Sequence, residues 1–270
     1  MASPDLIVIP ARYASTRLPG KPLRPIAGRT MLERVLANGH RAAQLAGNCQ
    51  LVVATDDERI ADHARALGAK VAMTEPALDS GSARAHAAAL QQEHRPERVI
   101  CLQGDAPFIS GEIVAGLLAR LREGSAQVAT PVYQLDWNRL DRLREHKRTA
   151  PFSGTTCLRD GKGKALWFSK TILPALRDEA KLRKQPLSPV WQHLGLYAYT
   201  MEALEWFVNA PKGTYEALES LEQLRFMESG WAIATVPVPT PEHALSGIDT
   251  PEDLALAERA IARLGDPFPA

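Results

Sequence analysis

Cysteine is scarce in this sequence. The 270 residues include three cysteines, an odd and widely spaced set without a C-x-x-C pair: Cys49, Cys101 and Cys157. This usage indicates neither a disulfide framework nor a zinc site. We therefore expect a protein of the reducing cytoplasm.

Long apolar runs and an excess of either charge are also lacking. Runs such as residues 6–10 and 99–102 are far shorter than the ~20 residues that cross a bilayer, and the N-terminus has no signal-peptide pattern. The 32 basic and 31 acidic residues give a net charge of +1. Without a global field, we expect neither nucleic acid nor a membrane as a partner, and any basic site must be local.

The composition is that of a globular α/β protein. Hydrophobic residues make up 45% of the chain and charged residues 23%, which is enough for a substantial core. We predict one domain over residues 1–270, with a lobe at approximately 130–230.

The first half of the chain alternates two patterns. Short runs rich in strand-forming residues predict buried strands at 6–9, 51–54, 71–73 and 99–102. Helical patterns lie between them at 31–45, 58–67 (closed by Gly68) and 83–92. This alternation predicts a mostly parallel sheet with helices on both faces.

The second half is mixed from about Gln127. We predict antiparallel strands at 155–158, 165–168 and 194–199, and interpret this part as a smaller lobe that covers the site. A strand returns at 232–238. Thr250 then opens the final helix as its N-cap, followed by Pro251 at the first helical position and acidic Asp253 at the third.

A basic loop follows the first predicted strand at residues 10–21 and carries Arg12, Arg17 and Lys21 among small residues. Forked guanidinium donors, a compact ammonium and accessible backbone N–H groups suit a polyphosphate. The loop matches neither the P-loop nor the dinucleotide fingerprint. A solvated basic loop is the alternative, but ligands of such sheets bind at strand ends, which favours phosphate binding.

Two aspartates stand at the ends of elements. Asp105 follows the strand at 99–102, and Asp249 precedes the cap of the last helix. One or two carboxylates together with substrate phosphates commonly hold Mg²⁺. The alternatives are a turn residue for Asp105 and a helix-start acid for Asp249. We interpret Asp56 as a turn or N-cap acid.

Six stretches, in the same order, resemble the CMP-Kdo synthetases, where Kdo is 3-deoxy-manno-octulosonate. They are IPARYASTRLPGKP at 9–22, ATDD at 54–57, QGD at 103–105, QHLG at 192–195, LEQLR at 221–225 and DTPEDL at 249–254. The resemblance implies a GT-A-like (Rossmann-like) nucleotidyltransferase domain whose lobe binds the sugar and forms a homodimer. It also implies transfer of CMP from CTP to the anomeric hydroxyl of an acidic sugar, with release of pyrophosphate, as in lipopolysaccharide or capsule synthesis.

The resemblance assigns roles by position. Arg12, Arg17 and Lys21 would hold the triphosphate, with Ala11, Arg84 and Gln103 beside the nucleotide, and Asp105 and Asp249 would bind Mg²⁺. Lys21, Arg17 and Asp105 would carry the catalysis. The residues implied in the sugar pocket are Gln103, Lys170, His193, Tyr197, Glu219 and Glu222. A core role is the alternative for Tyr197, in an apolar run, and for Glu219 and Glu222, which we place on an amphipathic helix.

Several positions depart from the family pattern, mainly in the sugar-facing half. Ala106 replaces an acid, Ser153 and Thr156 replace Asn and Lys, and Lys170 replaces Arg. A lysine offers a point charge in place of a bidentate fork. These changes keep open a related 2-keto-3-deoxy acid as the substrate. A GT-A-like glycosyltransferase and a non-catalytic nucleotide-binding homologue are further alternatives.

Overall fold

The computed structural model describes residues 3–15, 17–78, 80–241 and 247–268; Thr16 of the predicted basic loop lies outside them. The strands are β1 Asp5–Ala11, β2 Pro25–Ile26, β3 Arg29–Thr30, β4 Cys49–Thr55, β5 Lys70–Met73, β6 Arg98–Cys101, β7 Val128–Asp136, β8 Thr156–Arg159, β9 Ala165–Ser169, β10 Leu187–His193, β11 Tyr197–Thr200 and β12 Ile233–Pro237. The helices are α1 Met31–Ala46, α2 Glu58–Ala66, α3 Gly81–Leu90, α4 Gly111–Arg122, α5 Trp137–Thr149, α6 Glu179–Leu182, α7 Met201–Asn209, α8 Thr214–Glu219, α9 Gln223–Glu228 and α10 Pro251–Leu264.

Within these described residues, ten strands form one sheet in the order β5-β4-β1-β6-β11-β7-β10-β8-β9, and β12 pairs with β7. Strand β1 is parallel to β4 and β6, and β4 is parallel to β5. Strand β11 is antiparallel to β6, and beyond it the sheet is mixed. The predicted α/β class is confirmed, and the carboxyl ends of β1, β4 and β6 lie at one edge.

The central strand β1 explains why helices cover both faces. All seven of its residues are buried, and the side chains from Leu6 to Ile9 alternate between two cores. Ile7 and Ile9 belong to the core that contains residues of α1 and α4, whereas Leu6 and Val8 belong to the core that contains residues of α3 and α7. Because successive side chains of a strand point to opposite faces, a continuous apolar run is buried only between two layers of helix.

Three details of the second half differ from the sequence-based expectation. The segment predicted as strand 194–199 becomes regular strand only at Tyr197, and β10 was not predicted. The placement of Glu219 and Glu222 on one amphipathic helix is wrong. Glu219 ends α8, Ser220 follows in the left-handed conformation at φ 52°, and Glu222 is the N-cap of α9.

The C-terminal helix begins as predicted. Thr250 accepts from the backbone N–H of Asp253, whose carboxylate accepts in turn from that of Thr250. The helix docks beside the basic loop through a small apolar group that we term the C-terminal cluster: Leu18, Ile26, Met31, Ile248, Ala257 and Ile261. Beyond the helix, buried Arg34 makes a two-pronged ion pair with Asp266 at 2.6 and 3.0 Å. No helix of the described residues is long and apolar enough to cross a membrane.

Candidate active site

The loops at the carboxyl ends of β1 and β6 enclose a cavity of about 390 Å³, which we term the basic cleft. Every residue that the sequence assigned to the nucleotide or the metal lines it: Ala11, Arg12, Arg17, Lys21, Arg84, Gln103, Asp105 and Asp249. The sequence also assigned Gln103 to the sugar, but within the described residues it lines only this cleft.

The basic loop is fixed by a tight turn before Lys21. The backbone N–H of Gly20 donates to the carbonyl of Tyr13 at 3.0 Å, and Gly20 has φ 67°. A Cβ atom at this position would lie 3.1 Å from the Tyr13 ring. Only glycine meets both conditions without strain. The turn directs the Lys21 side chain into the cleft.

Lys21 lies between the two predicted metal-binding acids. Its Nζ is 2.7 Å from Asp105 Oδ2 and 2.9 Å from Asp249 Oδ1. Burial lowers the pKa of Lys21, but the two carboxylates outweigh this effect and hold the pKa above its ordinary value. For Asp249, burial raises the pKa, but Lys21 and the Arg17 guanidinium, 3.1 Å away, lower it below its ordinary value overall.

The same geometry tests the fit of Mg²⁺. One oxygen atom of Asp105 and one of Asp249 both contact Lys21 Nζ, so the two carboxylates converge on a single point. The described residues contain no group of three or more Asp, Glu, His or Cys side chains placed to hold a metal. Two carboxylates completed by phosphate oxygens and water are a usual donor set for Mg²⁺. The residues therefore fit this ion better than a softer metal.

Arg84 enters the cleft from the first turn of α3. The side chain is 1% exposed; it bonds to Thr74 Oγ1 and lies 3.4 Å from Asp56 Oδ2. Burial lowers the pKa of Arg84, and Asp56 opposes this shift. The sequence interpretation missed this role of Asp56, because Asp57 and not Asp56 caps α2. The sequence carries no signal for this pair, because Asp56 and Arg84 are 28 positions apart.

A second cavity of about 470 Å³ lies among β7, β10, β11 and the start of α9, and we term it the lobe cavity. Four of the residues predicted for the sugar line it: Lys170, His193, Tyr197 and Glu222. Glu219 does not; it accepts from the backbone N–H of Lys170 at 2.5 Å and from Ser169 Oγ at 2.9 Å. Glu219 thus holds the end of β9 behind the cavity.

His193 is a neutral group of the lobe cavity. Its Nε2 lies 2.8 Å from Thr130 Oγ1, whose hydroxyl donates to the carbonyl of Leu196. We therefore assign the proton to Nε2, which leaves Nδ1 as an acceptor. Burial, and secondarily the charge of Lys170, lowers the pKa of His193 to about 3. The imidazole remains uncharged at neutral pH.

Gln223 also lines the lobe cavity, although the sequence did not single it out within its motif. It is 3% exposed. Its Nε2 is buried, with no hydrogen-bond partner among the described residues. An amide donor left unmatched in a cavity is costly to the free protein and is available to a polar ligand.

The departures from the family pattern fall at different depths. Thr156 is fully buried and donates to the carbonyl of Thr171 at 2.7 Å, and Ala106 is 2% exposed. Lys170 is different, because it lines the lobe cavity. Its Nζ forms no direct ion pair in the described part of the chain, although the charge of Glu219 acts on it; burial lowers the pKa of Lys170 and Glu219 opposes that shift. A cation without a direct ion pair therefore faces the space assigned to an acidic sugar.

The basic cleft and the lobe cavity adjoin each other. Tyr197 is the register partner of Cys101 in the β11–β6 ladder, so the lobe cavity begins one strand away from the loop that carries Gln103 and Asp105. Ser82 Oγ, at the start of α3, donates to Glu222 Oε2 at 3.4 Å. Two ligands bound side by side would meet near the carboxyl end of β6.

A strand-end basic loop that faces two acids, beside a second polar cavity, is the arrangement of a nucleotidyltransferase. A family model described as Cytidylyltransferase matches residues 6–234. A protein of Maricaulis maris named 3-deoxy-manno-octulosonate cytidylyltransferase is 40% identical over 97% of this chain and 98% of its own length. The chain belongs to the cytidylyltransferase family, in the branch of the 3-deoxy-manno-octulosonate cytidylyltransferases.

Solved structures agree with this assignment. A structure of CMP:2-keto-3-deoxy-manno-octonic acid synthetase complexed with CTP is 34% identical, with a TM-score of 0.82 over 97% of this chain and 99% of the other. The 4-diphosphocytidyl-2C-methyl-D-erythritol synthase of Anaerococcus prevotii is 14% identical, with a TM-score of 0.59 over 97% of this chain and 100% of the other. The second likeness is one of fold alone.

Proposed function

We propose that this chain transfers CMP from CTP to the anomeric hydroxyl of Kdo, or of a close 2-keto-3-deoxy variant, and releases pyrophosphate. The observation that carries the proposal is the convergence of Lys21, Asp105 and Asp249 in the basic cleft, next to a cavity that is lined by the cation of Lys170. The printed names of the relatives, and the CTP in the related structure, support both substrates.

The basic cleft provides the triphosphate site. Arg12 and Arg17 are exposed at the mouth of the cleft, and Lys21 is nearly buried in it, so their charges follow the path of a chain of phosphates. Arg84 lies beside Arg12, because both guanidinium groups donate to the carbonyl of Leu78, and we place the nucleoside at this part of the cleft. In phosphoryl-type transfer the protein mainly positions the reactants and stabilises charge, and these cations do both.

The lobe cavity provides the sugar site. We assign the sugar carboxylate to Lys170, because an anion pairs best with a partly desolvated cation whose ammonium forms no direct ion pair. Neutral His193 presents Nδ1 to a sugar hydroxyl, and Tyr197 borders the same space. The sugar's anomeric oxygen would then face the basic cleft.

The chemical step is an in-line displacement. The anomeric oxygen forms a bond to the α-phosphorus, the bond to the bridging oxygen of the β-phosphate breaks, and the hydroxyl proton passes to solvent. Lys21 and Arg17 balance the charge that collects on the leaving pyrophosphate. Mg²⁺, when held by Asp105 and Asp249 together with the phosphates, would neutralise further charge and acidify the attacking hydroxyl.

We further propose that the enzyme is a cytoplasmic homodimer. The three cysteines are free thiols, as expected in a reducing compartment. Apolar side chains on β9 and α8 are exposed in the lobe, namely Leu166, Tyr215 and Leu218. Such a surface supports self-association. Equilibrium sedimentation of the full chain tests the dimer, and a monomer at micromolar concentration would overturn it.

The test of function is pyrophosphate release from CTP with Mg²⁺ and a panel of 2-keto-3-deoxy sugar acids. We expect turnover with Kdo or one close variant, and preference for CTP over UTP. Equal turnover with UTP would refute the nucleotide assignment. Release of no pyrophosphate with any sugar of the panel, despite binding of CTP, would favour a non-catalytic homologue.

A further inference from the structure

Lys147, near the end of α5, is bound by a ring of backbone carbonyls. Its Nζ lies 2.5 Å from the carbonyl oxygen of Ser153, 2.6 Å from that of Lys170, 3.1 Å from that of Gly154 and 3.2 Å from that of Pro151. Within the described residues it forms no ion pair, so the dipoles of these carbonyls stabilise its positive charge. Four oxygens around one cation resemble the ligand shell of a bound monovalent ion.

The carbonyls come from two segments that meet at the lobe cavity. Pro151, Ser153 and Gly154 belong to the loop between α5 and β8, whereas Lys170 directly follows β9. Gly154 and Lys170 both line the cavity. Lys147 therefore binds two parts of the cavity wall from behind, without lining the cavity itself.

The loop fits closely against α5 at a position that requires glycine. Gly154 has φ 68°, and a Cβ there would approach Leu143 Cδ1 of α5 to 3.0 Å. Carbonyls gathered around one point repel each other unless a positive charge occupies it. With an ammonium there, each hydrogen bond is charge-assisted and stronger than a neutral one.

The Lys147 ammonium also helps to position Lys170. The backbone of Lys170 is held from both sides, by Lys147 at its carbonyl and by Glu219 at its N–H. Its side chain is left free to face the lobe cavity. Desolvation and the nearby charge of Lys170 lower the pKa of Lys147, and Glu219 opposes that shift. Lys147 and Glu219 thus lie behind the cavity wall, and the charge of Lys170 lies at the cavity.

We propose that Lys147 is a positioning residue for the sugar: its ammonium serves as a built-in monovalent cation that fixes the 151–154 loop against Lys170 and so sets the shape of the lobe cavity. This inference rests on the proposed role of that cavity as the sugar site. Neither the family pattern nor the contacts of the reacting groups assigns a role to Lys147.

The kinetic test compares Lys147→Ala and Lys147→Met with Lys162→Met, which removes an exposed lysine from the β8–β9 turn of the same lobe. We expect both Lys147 variants to raise KM for Kdo on the order of tenfold, with KM for CTP unchanged and Lys162→Met like wild type. Equal rises of both KM values, or no change, would overturn the positioning role.

Chemical rescue separates a cation site from a general packing effect. Lys147→Ala leaves room for ethylammonium among the carbonyls, whereas the side chain of Lys147→Met fills that room. Ethylammonium should therefore lower KM for Kdo in Lys147→Ala but not in Lys147→Met, and choline at the same ionic strength should rescue neither. Failure of ethylammonium to act on Lys147→Ala would contradict the cation role.

Hydrogen exchange gives a readout that does not depend on the sugar. Amides of residues 150–156 should exchange faster in both Lys147 variants, and ethylammonium should restore protection only in Lys147→Ala. If the wild type rejects Kdo and every other 2-keto-3-deoxy acid of the panel, the proposed function fails while this measurement still decides the role of Lys147. Unchanged exchange in this segment would overturn the inference, whatever the substrate is.

Discussion

The backbone N–H of Ile248 donates to the carbonyl of Asp105 across 2.9 Å. This bond joins the loop after β6 to the segment that enters α10, and Asp249 is the next residue. The side chain of Ile248 is fully buried in the C-terminal cluster, which holds the connection in place. The two carboxylates around Lys21 are therefore placed by the backbone, and both are predicted to matter for the same ion.

Neutralising either acid tests the shared ion. Asp105→Asn and Asp249→Asn should each lower kcat by a factor on the order of 10² or more, because each removes charge that stabilises the transition state. Raising Mg²⁺ should restore part of the rate, and CTP should still bind. Steady-state kinetics across a Mg²⁺ titration measure this, with Asp62→Asn on α2 as an exposed control. Normal turnover of Asp249→Asn at low Mg²⁺ would return Asp249 to the role of a helix-start acid.

Removing Lys21 tests two interactions separately, that with the phosphates of CTP and that with Asp105 and Asp249. Lys21→Met should lower kcat/KM for CTP by a factor on the order of 10², because the phosphates lose a desolvated cation. Without CTP, the two acids lose their common partner, so Mg²⁺ should raise Tm by a few degrees more in this variant than in the wild type. Differential scanning calorimetry with and without Mg²⁺ measures the shift, and Lys70→Met is the matched control. Identical shifts would show that the ion does not use these acids.

Arg17 is more exposed than Lys21 and should matter less. Its side chain is 64% exposed, and it pairs with the 42% exposed side chain of Asp249. Arg17→Ala should raise KM for CTP severalfold and leave Tm unchanged, because exposed ion pairs contribute little to stability. Kinetics and thermal melts of the same preparation check both parts. A loss of several degrees in Tm would mean that Arg17 is structural.

Gln223 offers a test in which function and stability change in opposite directions. Its buried Nε2 has no partner among the described residues, so Gln223→Met removes an uncompensated donor while keeping the volume. We expect Tm to stay the same or rise, and KM for Kdo to increase on the order of tenfold. Calorimetry and sugar-dependent kinetics measure the pair. An unchanged sugar KM would remove Gln223 from the site.

The ion pair between Arg34 and Asp266 predicts that the stability of the protein depends on pH. The Arg34 guanidinium holds the pKa of Asp266 below its ordinary 3.8. A lowered pKa in the folded state contributes stability above 3.8, and that contribution is lost as pH falls through the folded value. Asp266→Asn should thus lower the free energy of unfolding at pH 7 by about 1 kcal/mol, a value that already allows for the partial exposure of Asp266. Urea unfolding should show a smaller difference at pH 3, and Glu258→Gln on α10 serves as control.

The parallel half of the fold was predictable because each of its buried strands and amphipathic helices has its own pattern. An apolar run such as residues 6–9 predicts a buried strand whatever its tertiary partners are. Gly68 and Thr250 mark helix ends through local chemistry. Strand β10, LSPVWQH, has no such pattern, because it contains Pro189 and buries the polar Ser188, and its register against β7 shifts between Leu187 and Trp191. Its position depends on partners far along the chain.

The site was predictable where position after a strand sufficed, as for Asp105 and the basic loop. Contacts between side chains were not predictable from the sequence. The pairing of Asp56 with Arg84, the carbonyl ring around Lys147 and the position of Glu219 behind the cavity depend on tertiary geometry that sequence spacing does not contain. Ser220 in the left-handed conformation likewise separates two helices where periodicity predicted one.

Lys21 and Asp249 are 228 positions apart, yet their side chains meet. During synthesis the basic loop and every strand of the sheet leave the ribosome before Asp249 does. A nascent chain that has folded its sheet therefore still lacks one of the two acids, and the same holds for any product of premature termination before this segment. If Asp249 holds the ion as proposed, activity in this protein is a late event of translation, gained only when the last helix docks.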